Sequence, residues 1–265
     1  MTIIRRLLGA RGFSPSEQFQ RGFSRGIASG SPDPTWTPRA KQPIPFEGAH
    51  VALDPRELQS CYPLMISAFV PRPIALVSSR SAATGVGNVA PFSYSGVVNH
   101  DPPAIAVSVC RVGAGGRVKD TAANILETGE FVVNVMSEWF VEAANHTCGQ
   151  FASDADEMAE ANLSPAASLR VAPPRVGESA VQFECKTLHT HEMRNRHGLV
   201  TATLFVGEVV MCHVHDSLLD LGYGPGKPRV KFDGFAPVSR LGGNTYGSTT
   251  RTYDLDRPDR SDRNV

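Results

Sequence analysis

The sequence has no uninterrupted apolar run of the roughly 18 residues that a membrane-spanning helix needs, so no such span is expected. It has no net charge: 26 Lys and Arg balance 26 Asp and Glu. A dedicated nucleic-acid binder would carry a basic excess, and that class is set aside. Cysteine is sparse and odd in number: Cys61, Cys110, Cys148, Cys185 and Cys212, with no C-x-x-C pair. That argues against a disulfide framework or a zinc knuckle and for a reducing compartment. Several of these cysteines alternate with apolar neighbours, the pattern of buried thiols. There is no repeat at a solenoid period. Gly113-Ala-Gly115-Gly116 lacks the third glycine of a dinucleotide fingerprint. Gly222-x-Gly224-x-Gly226-Lys227 runs into Pro228 where a P-loop needs Ser or Thr. Both read as loops.

What is present suits a folded β protein. Hydrophobic residues make up 41% of the chain, too many for a disordered one, and 24 Gly with 20 Pro imply many turns and short strands. The ends differ from the middle. Residues 1–30 carry Arg5, Arg6, Arg11, Arg21 and Arg25 against Glu17 alone, with Ile3, Ile4, Leu7 and Leu8 on one helical face. This is the composition of a mitochondrial transit segment, and Arg-Gly-Phe-Ser at 11–14 and 21–24 resembles a matrix cleavage site. The expected address is the mitochondrial matrix, the alternative a cytoplasmic protein with a basic tail. Residues 31–49 hold five prolines and read as a linker. Residues 50–246 form one domain, and residues 247–265 a disordered polar tail.

Within the domain, Pro73–Ser79 and Asn88–Tyr94 read as strands joined by a turn at Gly85 and Gly87. Ala104–Cys110 alternates, with Ile105, Val107 and Val109 on one face. Lys119–Thr128 is the clearest helix, with Asp120 or Thr121 to cap it and Gly129 to stop it. Phe131–Val135, Val181–Lys186 and Leu199–Val214 are further strands, the last with Gly207 at a bend or bulge. Glu138–His146 and Asp156–Leu163 are short helices. Strands dominate at hairpin spacing, so the expected fold is mainly β with a few helices, a closed antiparallel barrel. His189/His191 and His213/His215 could each grip a metal from one strand face, and two such pairs on neighbouring strands would make a four-ligand site. The plainer reading is polar strand ends or subunit contacts, and no metal site is assigned.

Ser78, Ser79, Asn88, Ser93 and Tyr94 offer neutral donors and acceptors at two strand ends, suited to the edge of a planar heterocycle. Arg117 and Lys119 flank a helix start, where exposed N–H groups favour phosphate. A ring plus a phosphate describes FMN, although a polar-edged hairpin and an ordinary helix would look the same. The order of R-P-I-A-L-V-S-S, N-V-A-P-F-S-Y, D-P-P-A-I-A-V-S, K-D-T-A-A-N-I, F-V-V-N-V and R-L-G-G-N-T-Y resembles the flavoredoxin branch of the flavin reductase-like family, over roughly residues 62–246. The resemblance implies an antiparallel FMN-binding split β-barrel that forms a homodimer, with FMN near the subunit interface. It implies that Ser78, Ser79, Asn88, Ala90, Ser93 and Tyr94 meet the flavin. Lys119, Asp120 and Thr121 would lie near its phosphate, and Arg240 and Tyr246 would close the site. Leu76 departs from the pattern, standing where the family often has an aromatic residue. The implied activity is an FMN-dependent oxidoreductase, passing electrons from NADH or NADPH to free flavin or another acceptor. No acid–base residue is named, because the cofactor carries the chemistry. A flavin-binding carrier without NAD(P)H turnover and a cofactor-free interaction module are the alternatives.

Overall fold

The computed structural model describes residues 27–28, 30–113, 115–222 and 224–255. Residues 1–26, with both Arg-Gly-Phe-Ser sequences, and the end of the C-terminal tail lie outside the described residues. The chain enters through α1 (Tyr62–Ala68) and the short β1 (Arg72–Pro73). It then forms β2 (Ala75–Arg80), β3 (Gly87–Phe92), β4 (Ser95–His100) and β5 (Pro103–Cys110). After α2 (Asp120–Thr128) and β6 (Glu130–Val135) come α3 (Val141–His146) and α4 (Glu157–Glu160). The long hairpin β7 (Val181–Arg194) and β8 (Val200–Val214) follows, then β9 (Val238–Arg240) and β10 (Tyr246–Ser248).

Seven strands make one antiparallel sheet in the order β3-β2-β6-β7-β8-β5-β4. Its two edges, β3 and β4, are consecutive in the chain, separated by Ser93 and Tyr94 alone. Two residues reach about 10 Å at most, so the sheet must curl until its edges meet. The Ser108 N–H donates to the Tyr94 carbonyl at 2.8 Å, which continues the β4–β5 ladder into this link. The predicted antiparallel barrel is thus observed.

The alternation read from Ala104–Cys110 fills the barrel: Ile105, Val107 and Val109 are buried with Val77, Phe92, Phe131, Val133, Cys185 and Phe205. α2 adds Ala122 and Ile125 to the same core. It ends at Gly129, whose φ of 69° is the left-handed region that glycine favours and whose N–H donates to the Ile125 carbonyl at 2.8 Å. Its start differs from the prediction. Lys119 is the N-cap, and neither Asp120 nor Thr121 caps it, because both already lie inside the helix. A second apolar layer covers the outer face of β2 and β3: Leu76, Val89, Met136, Phe140, Ala144, Met158 and Val238. β2 is therefore buried on both faces, which explains its near-continuous run of small and apolar residues. Leu76 lies fully inside this outer layer.

The cysteine expectation needs correction. Of the five, all free, Cys185 is buried, while Cys110, Cys148 and Cys212 are exposed. Burial pushes the Cys185 thiol up to about 12. The histidine pairs do not converge: His189 and His191 face Val206 and Leu204, whereas His213 faces Gln182 at the far end of the same ladder. His213 instead contacts the fully buried Glu184, Nε2 to Oε1 at 2.6 Å. The Leu169 and Arg170 N–H groups also donate to this carboxylate, at 2.8 and 2.6 Å. Burial pushes the Glu184 carboxyl up, but these three donors outweigh it and hold the group below the usual carboxylate range.

Gly207 has a different cause from the expected bend. The bulge lies on the facing strand, between Thr187 and His189. The glycine is required by the Phe131 ring: an added Cβ would lie 2.5 Å from Cζ of Phe131 and 3.0 Å from Cβ of Cys185. Gly207→Ala should therefore lower stability by about 1–3 kcal/mol, read as an earlier urea midpoint. Combined with Phe131→Leu, it should cost less than the sum of the two single changes. Strict additivity would mean that the ring does not set this position.

Candidate active site at the barrel seam

The crossing from β3 to β4 opens a cavity of about 280 Å3. Pro91, Ser93 and Tyr94 form one wall, and Ser108 and Cys110 of β5 continue it. Tyr62 and Ile66 of α1, Asn145 of α3, Cys148, and Arg240, Gly243 and Tyr246 close it from elsewhere in the chain. The C-terminal residues arrive by strand register. β9 pairs with both β1 and β10, setting Arg240 opposite Arg72 on one side and Tyr246 on the other.

Arg72 holds the cavity together. It is 5% exposed. Its guanidinium donates to the carbonyls of Ile66, Phe69 (2.9 Å) and Leu241 (2.6 Å). One side chain thus fixes the end of α1, β1 and the C-terminal segment. Arg240 stacks on the Tyr246 ring, 4.4 Å from its centroid, and donates to the Gly243 carbonyl at 2.7 Å. The Tyr246 hydroxyl donates to Asn145 Oδ1 at 2.7 Å. Burial raises the phenols of Tyr94 and Tyr246, with the Arg240 charge partly opposing it at Tyr246. Burial also raises the Cys110 thiol, against the pull of the Lys119 charge. These groups are therefore neutral at neutral pH, and the hydroxyls can donate hydrogen bonds. No carboxylate lines the cavity among the described residues.

The residues singled out in the sequence divide into two groups. Ser93, Tyr94, Arg240 and Tyr246 meet at the seam cavity. Lys119 stands beside it, its ammonium 5.9 Å over the ring of Phe92 and its charge felt at Cys110. Ser78, Ser79, Asn88, Asp120 and Thr121 gather at the other end of β3. There Ser78 Oγ donates to the Pro174 carbonyl at 2.5 Å, and Asn124 Nδ2 donates to Ser79 Oγ at 3.2 Å. Asn88 contacts Thr121 at 2.7 Å; with its amide oxygen turned to that hydroxyl, its NH2 donates to Glu157 at 3.0 Å. Two smaller hollows, about 170 and 220 Å3, open here, bordered by Asp156 in one and by Asp120 and Glu157 in the other. Burial raises the Glu157 carboxyl, and the Asp120 and Asp156 charges add to it. Ala90 lies between the two groups, packed against the barrel core.

Six seam residues with polar or sulfur-bearing side chains were not singled out as site residues: Tyr62, Arg72, Ser108, Cys110, Asn145 and Cys148. Arg72 and Ser108 stand inside motifs quoted above, where strand ends alone could have suggested them. Tyr62, Asn145 and Cys148 carry no local signal. Arg72→Ala should cost about 3 kcal/mol or more, because it strands buried carbonyls that a charged donor satisfied. Arg72→Lys should cost less, and urea unfolding reads both. A loss under about 0.5 kcal/mol for the alanine variant, the range of an ordinary surface change, would show that Arg72 is not the tie.

Comparison with known proteins agrees with this architecture. Residues 66–230 match the model of the flavin reductase like domain. An uncharacterized Bacillus subtilis protein, YwrF, is 38% identical over 205 residues, covering 77% of this chain and 97% of that protein. Nitrilotriacetate monooxygenase component B from Bacillus cereus superposes with a TM-score of 0.73 at 33% identity, covering 79% of this chain and 100% of that one. The 2-nitrobenzoate 2-nitroreductase NbaA of Pseudomonas fluorescens gives 0.68 at 29% identity, over 80% of this chain and 98% of that one. The relatives also correct the expected address. They include proteins of Halalkalibacterium halodurans, Aquifex aeolicus and Deinococcus radiodurans besides B. subtilis. These are bacteria, which have no mitochondria, and the matrix expectation is overturned. The seam and its matches lead to one conclusion: this chain belongs to the flavin reductase-like family and is a flavin-related oxidoreductase on a split β-barrel.

Proposed function

We propose that the chain is an FMN-dependent oxidoreductase of the flavin reductase and flavoredoxin type. Bound FMN would supply the redox chemistry, taking hydride from NADH or NADPH and passing electrons to free flavin or another acceptor. The observation that carries this reading is the seam cavity with Lys119 at its side. Its walls suit a flavin. Ser93, Ser108 and Tyr94 present neutral hydroxyls, and β3 is an edge strand whose outer side has no strand neighbour. A planar ring with polar edges is recognised by such groups.

The phosphate belongs with Lys119 and Arg117. The N-terminal N–H groups of α2 add their partial positive charge there. Asp120, the acid that would oppose a phosphate, borders the hollow shared with Glu157 instead. That acidic end of β3 is poorly suited to an anion. Ser78, Ser79, Asn88 and Thr121 are buried and hydrogen-bonded to one another's neighbours. In this reading they fix the position of β3, and so of the Pro91–Tyr94 wall. No acid–base residue is assigned; the protein would bind the flavin, orient it and exclude water.

A second copy of the chain completes the site. β4 leaves the cavity as an edge strand with Val97 and Val98 exposed, and Leu64 and Met65 of α1 and Phe69 just after it are exposed as well. Apolar side chains so placed around a cavity mouth fit a two-fold partner.

Anaerobic absorbance tests the function. The protein loaded with FMN should lose its visible flavin bands when NADH or NADPH is added, and regain them with free flavin. Bands that persist with both nucleotides would leave a flavin carrier. A protein that takes up no flavin would leave a cofactor-free module.

A further inference from the structure

The seam cavity carries two arginines and no carboxylate among the described residues. They stand directly opposite each other in the β1–β9 register, Arg72 facing Arg240. Neither forms an ion pair among the described residues. Like charges set opposite across two strands destabilise the pair unless an anion or carbonyl oxygens offset them. For Arg72 the offset is in the structure, since carbonyls of Ile66, Phe69 and Leu241 take its donors. Arg240 donates to one carbonyl, that of Gly243, and its guanidinium carbon lies over the Tyr246 ring, 4.4 Å from the centroid. A guanidinium carries five N–H donors, more than one carbonyl takes up, in the fork that matches a carboxylate. The surfaces beside it are aromatic: Tyr246 beneath, with Tyr62 and Tyr94 on the same cavity.

We infer that the Arg240–Tyr246 wall recognises a planar aromatic carboxylate. Its carboxylate meets the Arg240 fork, and its ring lies among the tyrosines. The inference rests on the reading of the seam as the flavin site. The flavin takes the Pro91–Tyr94 wall and the Lys119 side, and the acid takes the opposite wall. Arg240 selects charge, and the tyrosines select flatness. A neutral analogue of the same shape keeps the second contact and loses the first.

Calorimetric titration with benzoate and benzamide tests this, on the full chain with and without FMN. Benzoate should bind about tenfold or more tightly than benzamide, the difference that one charge-assisted hydrogen bond makes. In Arg240→Met the two should bind within about twofold of each other, and Arg240→Lys should keep part of the preference. The ratio of the two ligands is the readout, so a general change in folding or flavin content does not mimic the result. Equal binding of benzoate and benzamide to the unaltered chain would overturn the inference, as would a preference that survives Arg240→Met. Tighter binding of inorganic pyrophosphate than of benzoate would assign the cation to a phosphate and also overturn it. Failure to take up FMN, with the benzoate preference intact, would sink the flavin reading and leave a carboxylate-binding cavity.

Discussion

Two residues, Ser93 and Tyr94, carry the chain from one edge of a seven-stranded sheet to the other. That short link forces the sheet to close, and it decides where the closure is imperfect. At the crossing β3 and β4 diverge around a space that neither strand can fill. The outer ends of β3 and β5 become its walls, and a cation-rich cavity opens there. The barrel core on one side and the outer helical layer on the other leave β2 and β3 little freedom to shift. The site is therefore built on rigid strands, as a precise binding site requires.

Charge separates the two ends of β3. At the seam Arg72 and Arg240 stand without acidic partners, and Lys119 borders them. At the other end Asp120, Asp156 and Glu157 surround a buried network of Ser, Asn and Thr side chains. The strand spans six residues, or about 20 Å at the usual rise, so an anionic ligand meets opposite fields at its two ends. This polarity favours the seam for a flavin and for an anionic second ligand. Arg72 makes the arrangement durable: satisfied by carbonyl oxygens, it remains a positive charge inside the protein without needing a carboxylate that would cancel it.

Much of the fold was legible in the sequence where the signal is local. The alternation of Ile105, Val107 and Val109 marked a strand with one face in the core. Gly129 marked a helix end, because only a left-handed residue could turn the chain there. Long-range facts were not legible. Nothing in β1 or β9 shows that Arg72 and Arg240, far apart in the chain, would pair in register. Tyr62 and Asn145 reach the cavity from helices whose own patterns describe packing alone, and Cys148 from the turn after α3. The family resemblance named Ser93, Tyr94, Arg240 and Tyr246 together with Ser78, Asn88 and Thr121. Sequence order cannot tell that an extended strand carries these two sets to opposite ends. The leader misled for a related reason: an Arg-rich, acid-poor composition is shared by targeting segments and by tails with no address.

The claim on which the rest depends is that the flavin occupies the seam. The chain supplies its own reporters, because Cys110 and Cys148 line that cavity while Cys212 is exposed outside it. The measurement is the alkylation rate of each cysteine, followed by peptide mass spectrometry, in the presence and absence of saturating FMN. The account predicts that FMN slows modification of Cys110 and Cys148 together and leaves Cys212 at its original rate. FMN that binds while Cys110 and Cys148 both react at their original rates would contradict it, and would move the flavin away from the crossing of β3 and β4.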